Sequence, residues 1–313
     1  MIAIHATDLS LSYDNVKALE NLNLSASYHE VLCLLGPNGA GKTSLIKILC
    51  GLLKPDAGTI NFFDTSGKAV SFSKKRIGYC PQNPSIWYDL TCHEQLIFLS
   101  KLYGLSKRES RARVDLLLET LHLKDKKNVL AGKLSGGMQQ SLNLAMALVN
   151  DPDILILDEP FAGLDILVRI HIRQMLCSFA HSQGNALILS THNIDEAEKL
   201  ADRVIVMNHG AVYEIDSSEI IHPGMSDRFV IEVVLKEATA EQTDRAAEEI
   251  LKLGATVVCL QQTLLIYTSN KETTLEKTLK IFKNQGLTSV KINVRNRSLE
   301  DLFIKLKGMM VEE

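Results

Sequence analysis

Two hydrophobic periods take turns along this 313-residue chain. Unbroken apolar runs occur at Val31-Leu32-Cys33-Leu34-Leu35, Ile154-Leu155-Ile156-Leu157 and Ala186-Leu187-Ile188-Leu189. A short run without polar alternation is what a strand buried on both faces presents, so these are expected as central strands of a mostly parallel sheet. Residues 1–30 alternate more loosely through Ile2, Ile4, Leu9, Leu11, Tyr13, Leu22 and Leu24, which predicts an antiparallel pair turning at Asp14-Asn15. Further strands are expected at Thr59–Phe63 and Arg76–Cys80, and Pro81-Gln82-Asn83-Pro84 cannot extend the second. From Thr91 the period becomes helical. Thr91-x-x-Glu94 and Ser106-x-x-Glu109 are capping-box patterns, and Val114, Leu117, Leu118, Leu121 and Leu123 form an apolar face behind the second. A helical insert of roughly sixty residues, about 85–150, therefore interrupts the α/β core, given ordinary helix lengths. Val204–Met207 and Val212–Ile215, split by Asn208-His209-Gly210, predict a closing hairpin.

A first domain is thus expected over 1–216. A turn-rich linker follows at 217–227, with Pro223-Gly224 inside it, and a second unit at 228–313. The second unit reads as strand (Phe229–Leu235), helix (Ala240–Leu253), strand (Thr256–Leu260), strand (Leu264–Thr268), helix (Thr273–Phe282) and strand (Ser289–Val294). That βαββαβ order belongs to a split-βαβ sandwich, an α+β unit. A short helix from Ser298 to Leu306 should end it, capped through Ser298-x-x-Asp301.

Composition narrows the class without changing this outline. Hydrophobic content of 46% and charged content of 23% suit a soluble globular chain, and the length allows two cores. A net charge of −3 argues against a nucleic-acid partner held by bulk charge. No apolar stretch approaches membrane-spanning length, and Met1-Ile2-Ala3-Ile4-His5 lacks a signal-peptide layout. The six cysteines show no C-x-x-C spacing and are expected to be reduced core residues of a cytosolic protein.

Chemistry enters at Gly36-Pro37-Asn38-Gly39-Ala40-Gly41-Lys42-Thr43, which fits G-x-x-x-x-G-K-[ST] between an expected strand and an expected helix, Ser44–Leu49. In that setting the glycines let backbone N–H groups turn onto phosphate oxygens, and the helix N-terminus adds positive potential. Lys42 should reach the β- and γ-phosphates of a nucleoside triphosphate, and the Thr43 hydroxyl should ligate Mg²⁺. Asp158-Glu159 ends the run Ile154–Leu157 at the sheet edge where ligands gather. Neighbouring strand residues point opposite ways, so the two acids need not share a role. Asp158 is expected to hold Mg²⁺ through water, and Glu159 to orient and deprotonate the attacking water. Ser135-Gly136-Gly137 opens another helix, Met138 to about Asn150, and is a second anion site on the same dipole argument. Tyr13 precedes the phosphate loop and is either an adenine-stacking ring or a half-buried strand tyrosine. Ile86, Trp87, Tyr88 and Leu90 form an apolar cluster in an expected loop, which is either a contact surface or a small core under the insert.

Taken in order, GPNGAGKT, the Gln82 loop, LSGGMQQ, ILILDEP, Ala162-Gly163-Leu164-Asp165 and Ser190-Thr191-His192 resemble the nucleotide-binding domain of ABC transporters over roughly residues 1–216. Ser298-Leu299-Glu300-Asp301-Leu302-Phe303 resembles the ending of single-ATPase subunits that serve daunorubicin-resistance-type exporters. The resemblance implies an α/β P-loop NTPase core with an antiparallel β subdomain and a helical insert. It implies a cytoplasmic ATPase using ATP and Mg²⁺, peripheral on the cell membrane, working with a separate integral-membrane permease and not with nucleic acid. Two subunits, identical or paralogous, would close head to tail. Each ATP would lie between one subunit's Gly36–Ser44 loop and the other's Ser135, Gly136 and Gly137. Gln82 would sense metal and water, His192 would contact the γ-phosphate, Asp165 would cross the interface, and Tyr13 would stack on adenine. Ser141 and Met146 stand where the family usually has arginine, and Asn193 where an acid is frequent. An importer would share every catalytic motif, with the C-terminal unit as the feature against it. A soluble ATP-driven switch is disfavoured by a single ATPase domain without heptads or a basic tail.

Overall fold

The three unbroken apolar runs become the middle of a six-stranded sheet ordered β10-β9-β3-β8-β7-β6. These strands are β3 (Glu30–Leu35), β6 (Ile77–Cys80), β7 (Ile154–Asp158), β8 (Ala186–Thr191), β9 (Arg203–Asn208) and β10 (Ala211–Asp216). Every residue of β7 and β8 is buried. Covering both faces removes each aliphatic side chain from water, roughly 1.5–3 kcal/mol apiece. The pairings β3/β8, β3/β9, β7/β8 and β6/β7 are all parallel. Their registers pair Leu35 with Thr191, Asp158 with Ser190 and Cys80 with Leu157. The five parallel strands β3, β6, β7, β8 and β9 therefore discharge their next residues at one edge.

The computed structural model describes residues 1–14, 16–208, 210–216, 228–236, 238–260, 262–301 and 304. The expected linker at 217–227, the turn residues Asn15 and His209, and Leu302-Phe303 lie outside the described residues. The chain divides into two units, Met1–Ile215 and Asp216–Glu313.

In the first unit the predicted antiparallel pair is present as β1 (Ile2–Tyr13) and β2 (Val16–Ser27). It lies in a second sheet with β4 (Ala57–Phe63) and β5 (Ala69–Val70), ordered β2-β1-β4-β5. Helix α1 (Lys42–Leu49) follows β3. The insert holds α2 (Cys92–Leu102), α3 (Lys107–Thr120) and α4 (Gly136–Leu148). Both predicted capping boxes form, at Thr91/Glu94 and at Ser106/Glu109. Helices α5 (Ile166–Cys177) and α6 (Ile194–Leu200) were not anticipated from the pattern.

The apolar cluster after Gln82 is only partly a surface. Ile86 is 7% exposed, whereas Trp87 and Tyr88 are 41% and 56% exposed. The fully apolar side chain turns inward, and the two rings with polar atoms face water.

The second unit contains β11 (Phe229–Lys236), α7 (Ala240–Leu251), β12 (Thr256–Leu260), β13 (Thr263–Thr268), α8 (Lys271–Asn284) and β14 (Thr288–Asn296). Its sheet order, β12-β13-β11-β14, is antiparallel throughout, as a split βαβ requires. Strand alternation divides β11: Ile231, Val233 and Leu235 join a core with Ile250 and Phe282, while Val230 packs with Leu265 and Tyr267 on the other face. Asp301 accepts from the N–H and hydroxyl of Ser298 and pairs with Arg295.

Candidate active site

The phosphate loop starts where β3 ends. Gly36 N–H donates to Thr191 O at 3.4 Å, tying the loop to the neighbouring strand. Gly41, the α1 N-cap, has φ 98°, and a Cβ there would lie 2.4 Å from Ala18 O. No other residue fits that conformation and that gap together. Lys42 is 6% exposed, and its Nζ donates to Gly36 O at 2.7 Å and Pro37 O at 3.0 Å. Burial lowers its pKa, opposed by the carboxylates of Glu159 and Asp158.

Asp158 is fixed from two sides. Thr43 Oγ1 donates to Oδ2 at 2.9 Å, and Ser190 Oγ donates to Oδ1 at 2.5 Å. Glu159 N–H in turn donates to Ser190 Oγ at 3.1 Å and Ser190 O at 3.2 Å. Glu159 has φ 50°, a left-handed conformation of the sort that concentrates at functional sites. Strand alternation therefore stops at Asp158, and both acids line one cleft instead of opposite faces. Glu159 is 6% exposed, and its Oε1 lies 2.9 Å from His192 Nδ1.

That cleft has a volume of about 520 Å³ and is lined by Asn38–Ser44, Asp158, Glu159, Gln82, Tyr13 and Val16–Ala18. Tyr13 is 49% exposed, with its hydroxyl 3.3 Å from Ser44 Oγ. His192 joins through Glu159. Gly36 and Pro37 contribute their carbonyls to Lys42.

Gly36, Pro37 and His192 adjoin this lining without being part of it, and four further expected residues lie outside it. Ser135 and Gly136 are exposed at the start of α4, with Gly137 beside them. Ser135 Oγ accepts from Met138 N–H at 3.3 Å. Asp165 is an exposed N-cap of α5, accepting from Val168 N–H at 2.9 Å. Ser190 enters the sequence reading only as part of Ser190-Thr191-His192, with no role of its own. Its signal was a hydroxyl closing an apolar run that neighbours the strand of Asp158.

Of the six cysteines expected in the core, Cys33, Cys50, Cys80 and Cys92 are buried, whereas Cys177 is half-buried and Cys259 exposed. Cys33 and Cys80 are wholly buried, and burial pushes both above the usual range. Burial, with the Asp158 carboxylate adding to it, pushes Cys50 up to about 12.

A parallel sheet whose carboxyl edge carries a glycine loop, a buried lysine, a threonine–aspartate pair and a buried glutamate defines a P-loop nucleoside triphosphatase. Comparison with known proteins refines the class. The sequence profile of the family described as "ABC transporter" matches residues 19–162. The Nod factor export ATP-binding protein I of Burkholderia orbicola (strain AU 1054) is 33% identical over 302 residues, covering 96% of this chain and 95% of that protein. Its namesake from Rhizobium sp. (strain N33) is 31% identical and covers 100% and 99%. Among solved structures, an ATP-binding subunit of an ABC transporter matches with TM-score 0.63 and 28% identity, covering 69% of this chain and 91% of that one. The dimeric cassette MJ0796, in a post-hydrolysis state with ADP and Pi, matches with TM-score 0.62 and 26% identity, covering 68% and 98%. This chain belongs to the ABC transporter family, as an ATP-binding cassette that hydrolyses ATP.

Proposed function

We propose that the chain is the ATPase subunit of an exporter, driving a separately encoded membrane permease by closing head to tail on a second ATPase subunit, a copy or a paralogue. The observation that carries this reading is the split between two phosphate-binding loops. One is assembled with Lys42, Thr43, Asp158, Gln82 and Glu159 around a single cleft. The other, Ser135-Gly136-Gly137, opens with two exposed residues and is absent from that cleft's lining. A Cβ on Gly136 would meet nothing within 4 Å, leaving room for a group from another subunit. The relatives' names favour export over import, which would use the same residues.

In this reading the amides of Asn38–Thr43 and the Lys42 ammonium hold the triphosphate, and Tyr13 stacks on adenine. Thr43, Asp158 and Gln82 supply hard oxygen donors with a single carboxylate, a set that fits Mg²⁺ completed by phosphate oxygens and water. When bound, that ion would neutralise charge on the β- and γ-oxygens. Glu159 orients a water and takes its proton as the water oxygen bonds to the γ-phosphorus and the bond to ADP breaks. His192 fixes the Glu159 carboxylate and contacts the γ-phosphate. Asp165 crosses the interface. Ser135, Gly136 and Gly137 of the opposite subunit grip the γ-phosphate, so its loss releases the dimer. No helix among the described residues is long and apolar enough to cross a membrane. The subunit would sit on the cytoplasmic face through its permease.

Complementation tests this. Ser135→Arg and Lys42→Ala should each be inactive alone, yet recover ATP hydrolysis when mixed, because the mixed pair retains one intact composite site. A mixture that stays inactive, with both proteins folded, would mean that each loop serves its own subunit.

A further inference from the structure

The segment carrying Gln82 has little backbone bonding of its own. Pro81 and Pro84 lack N–H groups. Among the described residues, no backbone-to-backbone hydrogen bond involves residues 81–86. The segment is held instead by one side chain of α4. Asn143 is 2% exposed. Its Nδ2 donates to Pro81 O at 2.9 Å and to Cys80 Sγ at 3.1 Å, and its Oδ1 accepts from Ser85 N–H at 3.2 Å. A single planar amide thus grips the Gln82 segment at its entry and at its exit.

Gln140, on the same helix face, is 4% exposed and donates to Pro160 O at 3.4 Å, next to Glu159. The helix also sits hard against β6, since a Cβ on Gly78 would lie 2.2 Å from Ala147 O. A buried amide is costly unless its hydrogen bonds are made, and at Asn143 each of them goes to the segment around Gln82. The N-terminus of the same helix is the Ser135-Gly136-Gly137 loop.

We propose that Asn143 is a positioning residue that ties α4 to Gln82. When the N-terminus of α4 engages a phosphate, Asn143 sets where Gln82 stands in the cleft. Asn143 is not among the residues that line the cleft and acts through Gln82, so the proposal rests on the role given to Gln82 above.

The test measures phosphate release by the full chain across a range of ATP concentrations with Mg²⁺. Asn143→Ala should lower kcat about tenfold, with KM for ATP changed by less than about twofold. In a Gln82→Ala background the same change should add less than about twofold, because the route through Gln82 is already cut. An Asn143→Ala protein with the parent kcat overturns the proposal, and so does an undiminished tenfold loss in the Gln82→Ala background. If Gln82→Ala alone keeps the parent rate, the role of Gln82 is wrong and the coupling falls with it.

Should Asn143→Ala not fold, Asn143→Asp keeps the acceptor for Ser85 but turns the donor facing Pro81 O into a second acceptor. The chain's single tryptophan, Trp87, lies two residues beyond Ser85 and reports on the segment directly. The fluorescence change on adding ATP should shrink in Asn143→Asp, and an unchanged response overturns the coupling.

Discussion

Gly36–Gly41 and Ser135–Gly137 both open helices with small residues, and their surroundings differ. A Cβ on Gly36 would lie 2.2 Å from Met207 O, and one on Gly41 2.4 Å from Ala18 O. Those glycines answer to the chain itself. Gly136 lies within α4, a Cβ there would meet nothing within 4 Å, and one on Gly137 would first meet Leu164 Cδ2 at 3.6 Å. Neither backbone conformation nor internal packing requires glycine at 136, the first residue of the helix, and alanine would fit there as well. A glycine without an internal reason points to something arriving from outside. The first loop also has a lysine, a threonine and two carboxylates gathered about it, whereas Ser135 serves within the described residues as a helix cap.

The sharpest way to separate the two loops is to stop the chemistry while leaving both intact. Glu159→Gln should lower the hydrolysis rate at least 10²-fold, roughly the scale of general-base catalysis. ATP binding should persist, and ATP-dependent dimers should accumulate in size-exclusion chromatography. Adding Ser135→Arg to this variant should abolish the dimer while nucleotide stays bound to the monomer. Loss of nucleotide as well would place Ser135 in the same cup as Lys42 and remove the contrast.

A matched pair of alanines comes next. Gly41→Ala should destabilise the fold by roughly 1–3 kcal/mol, since an L residue must take φ 98° against a backbone oxygen. Gly136→Ala should leave thermal stability within about 0.5 kcal/mol of the parent, yet slow ATP hydrolysis. If Gly136→Ala melts and hydrolyses like the parent, the space over Gly136 is only solvent.

The same contrast explains what could be read before the structure. Ile154–Leu157 and Ala186–Leu189 announced buried parallel strands because both faces are covered, and Thr91/Glu94 and Ser106/Glu109 announced helix starts because capping is local chemistry. The antiparallel sheet of the C-terminal unit fits the split-βαβ reading of its element order. What stayed hidden depends on partners distant in sequence. Ser190 matters through its register opposite Asp158, and Asn143 through a loop some sixty positions earlier. The φ of 50° at Glu159, which puts both acids in one cleft, follows no period at all. Ile86 looked like its aromatic neighbours and turned inward. Helices α5 and α6 begin with the caps Asp165 and Asn193 after strands whose chemistry drew attention first.

Two serines give the smallest and finest version of the comparison. Ser190 is wholly buried and donates to Asp158 while accepting from Glu159 N–H. Ser190→Ala leaves the buried Asp158 Oδ1 without that donor, a loss of roughly 1–3 kcal/mol. Ser135→Ala removes an exposed N-cap worth about 1 kcal/mol. At about 2–4 °C of Tm per kcal/mol for a unit of this size, Ser190→Ala should melt lower than Ser135→Ala in a calorimetric scan. Nucleotide affinity should separate them in the same sense: Ser190→Ala weakens binding to the isolated subunit a few-fold by loosening Asp158, and Ser135→Ala leaves it unchanged. Equal affinities in the two variants would show that Asp158 needs no bracing from Ser190, because Thr43 alone would then be holding the carboxylate in place.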